Sequence, residues 1–130
     1  MIDFKKNVEI VKESIKDYPN VKIVAATKYV DAAKAKELID CGITDLGENR
    51  TDAFLEKYEA LQDLNVTWHF FGVLQARKVR FIIDKIDYLH SLDSLSLASE
   101  INKRRKEPLK CFVQVNVSND PNKSGIDESK

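Results

Sequence analysis

Lys28 ends an apolar run rich in β-formers, residues 21–28 (VKIVAATK), and so carries a primary amine at the tip of a strand. A strand end is a rigid mount. An amine held there against apolar walls loses solvation, which lowers its pKa and makes it a better nucleophile toward carbonyls. The plainer alternative is a strand-end lysine that reaches into solvent. Further polar residues stand at or just past the ends of later candidate strands: Glu48 and Asn49, His69 and Gln75, Ser91 and Asp93, Asn116 and Ser118. In parallel α/β folds the carboxyl ends of the strands form the active face. Singly, each has a structural role available, with Asn49, Thr51, Asp93 or Ser94 as helix caps and His69 or His90 as hydrogen-bonded core histidines. Five polar strand ends converging on one mouth argue for a site.

The elements that must position them follow a rhythm. Phe4, Val8, Val11 and Ile15 form one helical stripe over residues 3–17, which Pro19 and Asn20 break. Candidate strands then begin at Val21, Ile43, Val66, Asp87 and Leu109, the starts differing by 22, 23, 21 and 22 residues. The last is read as one run, LKCFVQVNV. Between the strands lie amphipathic segments carrying Ala32, Ala35, Leu38 and Ile39; Phe54, Leu55, Tyr58 and Leu61; Val79, Ile82, Ile83 and Ile86; and Leu95, Ala98 and Ile101. Asp31 is placed to cap the first and Gly42 to stop it.

Alternating strand and helix means a parallel sheet, and a nearly constant repeat favours a β/α (TIM-like) barrel over an open doubly wound sheet. Five strands are present where eight close a barrel, and the chain stops at IDESK, where a fifth crossover helix should begin. The expectation is therefore a single domain, residues 1–130, forming the N-terminal five strands of a barrel plus a leading helix, with the later strands missing. An open five-stranded sheet complete in itself is the competing topology. Unpaired edges predict a monomer or weak oligomer with some tendency to associate.

Composition narrows the classes of function. Lysine plus arginine equals aspartate plus glutamate at 21 each, so there is no overall basic field of the kind that binds nucleic acid nonspecifically. No apolar segment approaches membrane-spanning length and the N-terminus has no hydrophobic leader, which points to a cytoplasmic protein. Cys41 and Cys111 lack metal-ligand spacing and read as reduced core thiols. The run Lys103, Arg104, Arg105 and Lys106 reads as a solvated helix end, favourably placed against the helix dipole.

The segments VAATKY (24–29), GENR (47–50), WHFFGVLQARK (68–78), HSLDS (90–94), QVNVS (114–118) and KSG (123–125) resemble, in order and spacing, those of the pyridoxal phosphate homeostasis protein family. The resemblance spans nearly the whole chain. It implies a barrel similar to the N-terminal domain of alanine racemase, holding pyridoxal 5′-phosphate (PLP) as a Schiff base on a first-strand lysine that corresponds to Lys28. It further implies that Asn49 lies close to the cofactor ring and that His69, Gly72 and Gln75 line the same mouth, with Ser91 and Asn116 contributing from the next two strands. Lys123 corresponds to a secondary binding position. Arg50 and Arg77 depart from the commoner patterns GENY and LQxNK, which reads as a subgroup difference. The family's phosphate-gripping residues, on later strands, have no counterpart in this chain.

Three functions compete. The first is a carrier that holds PLP and delivers it to PLP-dependent apoenzymes without substrate turnover of its own. The second is a PLP-dependent amino-acid racemase-like enzyme, which demands a proton donor and acceptor on opposite faces of the ring. The third is a Schiff-base lyase or aldolase using Lys28 without PLP. The carrier fits best, because His69 or Tyr29 could serve one face and no matched second group is evident. Fold similarity to a racemase does not transfer its function.

Overall fold

The computed structural model describes residues 3–127 and 129. Met1, Ile2, Glu128 and Lys130 lie outside them, and with them part of IDESK. Helix α1 (Phe4–Ser14) is capped by Asp3, whose carboxylate accepts the Lys6 N–H at 3.0 Å, and it buries Val8. Five units follow: β1 (Ala25–Ala26), α2 (Ala32–Asp40), β2 (Asp45–Glu48), α3 (Thr51–Ala60), β3 (Thr67–Phe70), α4 (Ala76–Ile82), β4 (Tyr88–Leu92), α5 (Leu95–Arg104) and β5 (Lys110–Val113).

All five strands are parallel, in the order β1-β2-β3-β4-β5. Successive helices pack on one another in the same order, from α1 on α2 to α4 on α5. A doubly wound sheet reverses its strand order and splits its helices between two faces, so this arrangement is that of part of a barrel. The helices and the outer face of the sheet form the apolar core. Phe54 of α3 meets Trp68 edge-on at 5.3 Å between centroids and Phe70 at 6.5 Å, above Leu46, Val79, Ile82 and Leu89, all buried. Burying each such side chain contributes about 1.5–3 kcal/mol.

Local signals act where they were expected. Asp31 caps α2 by accepting the Lys34 N–H at 2.9 Å, Ser94 caps α5 by accepting the Leu97 N–H at 3.1 Å, and Gly42 ends α2 with φ of +92°. At α3 neither Asn49 nor Thr51 is the cap: Arg50 holds that position without a side-chain hydrogen bond.

Four expectations are corrected. β1 is two residues long instead of seven, since it has a neighbour only in β2. The run from Leu109 breaks at Gln114, whose N–H donates to Leu92 O at 2.8 Å; β6 (Val115–Asn116) then leaves the sheet to pair in parallel with β7 (Ile126–Asp127), so residues 126–127 are strand and not the start of a helix. Cys111 is exposed because β5 is an edge strand, while Cys41 is half-buried. Arg105 is not merely solvated. It turns back to donate to the carbonyls of Ile83 at 2.5 Å and Ile86 at 2.8 Å, satisfying the open carbonyls at the end of α4. Among the described residues no helix is long and apolar enough to cross a membrane.

Beyond their last paired residues, β2 and β3 converge. The Phe71 N–H donates to Glu48 O at 2.8 Å, and a Cβ on Gly72 would stand 2.0 Å from the Asn49 carbonyl oxygen. Backbone on backbone cannot yield as a flexible side chain can. Gly72→Ala should therefore part the two loops and cost about 1–3 kcal/mol, measured by urea denaturation; unchanged stability would show that the contact is dispensable.

Candidate functional site

Lys28 lies in the turn immediately after β1, at the carboxyl end of the sheet. Thr27 O accepts the Val30 N–H at 3.2 Å, closing that turn, and the Thr27 N–H donates to Gly47 O at 3.0 Å. The expected apolar walls are not there: Lys28 is exposed, with its Nζ 5.0 Å from the ring centroid of the exposed Tyr29. The reason is topological, since β1 is a sheet edge. Ala25 and Ala26 precede it, leaving no bulk on the strand beneath the amine.

Asn49, Gly72, Gln75 and Ser91 are brought together. Gly72 lies on the Asn49 carbonyl, and the buried Ser91 hydroxyl donates to Gly72 O at 2.6 Å. Asn49 and Gln75 then line a cavity of about 360 Å³ with Arg50, Arg77 and Lys78 between the starts of α3 and α4. Two of its cations already have partners, Arg50 donating to Asp52 at 2.7 Å and Arg77 to Gln75 at 2.9 Å. Lys28 is not among its lining residues.

His69 sits elsewhere, one layer down on the open inner face of the sheet. It is buried, with Nε2 2.8 Å from Asp45 Oδ2 and Nδ1 2.8 Å from His90 Nε2. The Asp45 carboxylate only accepts, so His69 donates to it through Nε2–H, and one proton is shared between His69 Nδ1 and His90 Nε2. Aromatic rings enclose the pair: Tyr88 stacks on His69 at 4.5 Å, and Phe112 stacks on His90 at 4.8 Å. Phe71 meets His90 edge-on at 4.7 Å, its ring admitted by Gly47, where a Cβ would stand 2.0 Å from it. Lys22 completes the network, 3.5 Å from Asp45 Oδ2.

Asn116 and Lys123 belong to the separate β6–β7 unit. The Asn116 amide donates to Asp120 O at 2.8 Å and Lys123 O at 3.5 Å, so it braces its own loop, and Lys123 is exposed. The structure thus joins Asn49, Gly72, Gln75 and Ser91, places Lys28 at the same end of the sheet, and leaves His69, Asn116 and Lys123 outside that cluster.

Sequence reasoning passed over Asp45 and Lys57. Lys57 is buried on α3, where its Nζ donates to Glu48 Oε2 at 2.9 Å and Thr27 O at 2.7 Å. A signal was present: Phe54, Lys57, Tyr58 and Leu61 share one helical stripe, so Lys57 interrupts the apolar face. Asp45 likewise stands inside a strand, where a carboxylate demands a partner.

His90 is the titrating group of the inner face for which a shift is evident. Burial, and then repulsion from His69, hold His90 below the ordinary histidine value of 6.5. The unfolded chain therefore takes up this proton first. The associated stability is complete above that value and is lost as pH falls through the lower folded pKa. Thermal melts between about pH 7.5 and about pH 5.5 should show stability falling with pH, and less steeply in His90→Gln; an equal slope in the variant would assign the effect elsewhere.

No family model matches the chain. It is 41% identical over 109 residues to the pyridoxal phosphate homeostasis protein of Aquifex aeolicus (strain VF5), across 82% of this chain and 48% of that protein. It is 35% identical over 112 residues to the protein of that name from Escherichia coli (strain K12), with the same coverages of 82% and 48%. Among solved structures, PipY of Synechococcus elongatus PCC7942 without PLP superposes with a TM-score of 0.89 at 30% identity, over 98% of this chain and 60% of that one. The PLP-bound PipY structure gives 0.86 at 27%, over 95% and 58%. The chain spans about half the length of the curated relatives it matches. Shared sequence, and a shared succession of strands and helices, make this chain a homologue of the pyridoxal phosphate homeostasis proteins.

Proposed function

We propose that this chain binds pyridoxal 5′-phosphate, with Lys28 as the covalent attachment point, and serves to hold and deliver the cofactor. The observation that carries the reading is the exposed primary amine of Lys28 at the carboxyl end of a parallel sheet, the same end at which Asn49, Gly72, Gln75 and Ser91 are joined. A relative of the same fold was solved with PLP bound, which supports it.

The residues present fit the group at its aldehyde end. Lys28 is accessible, it has no large side chain beneath it on β1, and Thr27 is fixed by hydrogen bonds. At the same end of the sheet the start of α3 is already furnished with a carboxylate, since Asp52 accepts the Ala53 N–H at 2.9 Å and pairs with Arg50 at 2.7 Å. When bound, PLP supplies an electrophilic carbonyl, and an electron sink once joined to an amine. Lys28 would hold it by its Nζ, Asn49 would offer amide hydrogen bonds, and Ser91, already committed to Gly72 O, would keep the rim in place.

Carriage requires no acid and base on opposite faces of the ring. A racemase does, and the ionisable side chain whose ring lies against Lys28, Tyr29, is 89% exposed and so is not held on one face of a site. In the carrier reading the recipients are PLP-dependent apoenzymes, and the chain works in the cytoplasm.

The test is to mix the chain with a low excess of PLP, reduce with borohydride and locate the modified lysine by peptide mass. Labelling should be dominated by Lys28, and Lys28→Ala should lose that adduct while melting near the wild-type temperature, since an exposed lysine contributes little packing. Adducts scattered over surface lysines, or an undiminished yield in Lys28→Ala, would remove Lys28 from this role.

A further inference from the structure

We propose that Glu48 and Lys57 are positioning residues for Lys28, acting through Thr27; the inference rests on the reading of Lys28 as the attachment point. Three elements meet here. Glu48 ends β2 and is fully buried, Lys57 reaches from the middle of α3 and is 6% exposed, and Thr27, also fully buried, is the residue immediately before Lys28. Lys57 Nζ donates at 2.9 Å to Glu48 Oε2 and at 2.7 Å to Thr27 O. The Thr27 hydroxyl donates to the same Glu48 oxygen and lies 3.3 Å from Gly47 O.

The peptide linking Thr27 to Lys28 is thereby held on several sides. Its carbonyl oxygen takes both the Lys57 ammonium and the Val30 N–H of the turn, while the Thr27 N–H is committed to Gly47 O. β1 itself cannot supply this rigidity, because only two of its residues pair and only on one side. An edge strand so short would let the turn carrying Lys28 drift. The clamp replaces the missing ladder.

Stability alone is a poor reason for the clamp. A buried ion pair loses so much hydration that an apolar pair of the same shape is often as stable or more so. Glu48 Oε1 sharpens the point, since it is buried and has no hydrogen-bond partner among the described residues. A carboxylate with one oxygen left unsatisfied is an inefficient way to fill a core. What the pair does that a leucine and a methionine could not is fix the Thr27 carbonyl, and with it the direction in which Lys28 leaves the sheet. Small displacements at a reacting group carry large rate penalties, of order a hundredfold for about 1 Å.

The full chain should be labelled with limiting PLP, trapped with borohydride, and scored for the initial rate at Lys28 relative to the sum over all other lysines. Melting temperatures are read in parallel. Thr27→Val, which keeps shape but removes the hydroxyl, and Glu48→Gln/Lys57→Met, which removes both charges together and leaves neither stranded, should each lower the initial rate at Lys28 itself about tenfold or more while the sum over the other lysines stays unchanged. Thr27→Ser should restore it. A purely structural role would instead loosen the fold and raise labelling at other lysines, with the Lys28 rate unchanged. Variants that fold and still label Lys28 at the wild-type rate would overturn the proposal. Failure of the underlying reading looks different: the wild-type chain itself would then show no preference for Lys28, and the positioning role would fall with it.

Discussion

The structure depends on neutralising a strand that carries two buried carboxylates. All four residues of β2 are buried, and Asp45 and Glu48 project to opposite faces, so neither can reach the other's partner. Each carboxylate taken from water costs several kcal/mol unless it finds charge and hydrogen bonds. Lys57 answers on the helix face and His69, with Lys22, on the inner face. These partners come from α3, from β3 and from the segment before β1. The strand thus dictates how its neighbours on both sides, and the helix above it, must stand.

The two faces have different characters in consequence. Toward the helices the sheet offers Leu46, Trp68, Phe70 and Leu89, a continuous apolar layer broken near its rim by Glu48. On the other face a line of Asp45, His69 and His90 is enclosed by Tyr88, Phe71 and Phe112. The helix layer supplies most of the hydrophobic stabilisation. The inner face is held by directed bonds between rings and a carboxylate, and such bonds hold one arrangement only while every donor has an acceptor.

At the carboxyl ends the loops are set by close backbone approach more than by side chains. Glycine at 72 lets the segment after β3 lie on the Asn49 carbonyl, and Ser91 ties it to β4. Asn49, Gln75 and the two arginines at positions 50 and 77 are consequently displayed around one cavity, while Lys28 stands exposed at the same end of the sheet, outside that cavity's lining. The amine and the polar rim are separate pieces of the mouth, linked through β2, where Glu48 and Asn49 are consecutive.

What the sequence by itself determined was local and periodic. The even spacing of apolar runs set five parallel units in chain order, Asp31 and Ser94 fixed helix starts through bonds to amides three residues on, and Gly42 stopped α2 because it alone accepts that positive φ. The motif segments from VAATKY to KSG carried the likeness to the pyridoxal phosphate homeostasis proteins that the comparisons also show. Tertiary structure decided whatever depends on a partner distant in sequence. Whether Lys28 is walled or open turns on which strands flank β1, and whether residues 109–117 form one strand or two turns on where Gln114 and Ile126 meet. Lys57 read as one more helical charge until Thr27, thirty residues earlier, came within 2.7 Å. His69 and His90, each a plain core histidine alone, became a hydrogen-bonded pair only when β3 and β4 set their nitrogens 2.8 Å apart. Periodicity reports the face a residue occupies; the group across from it is chosen by packing between elements, and that choice fixes its charge, its exposure and its chemistry.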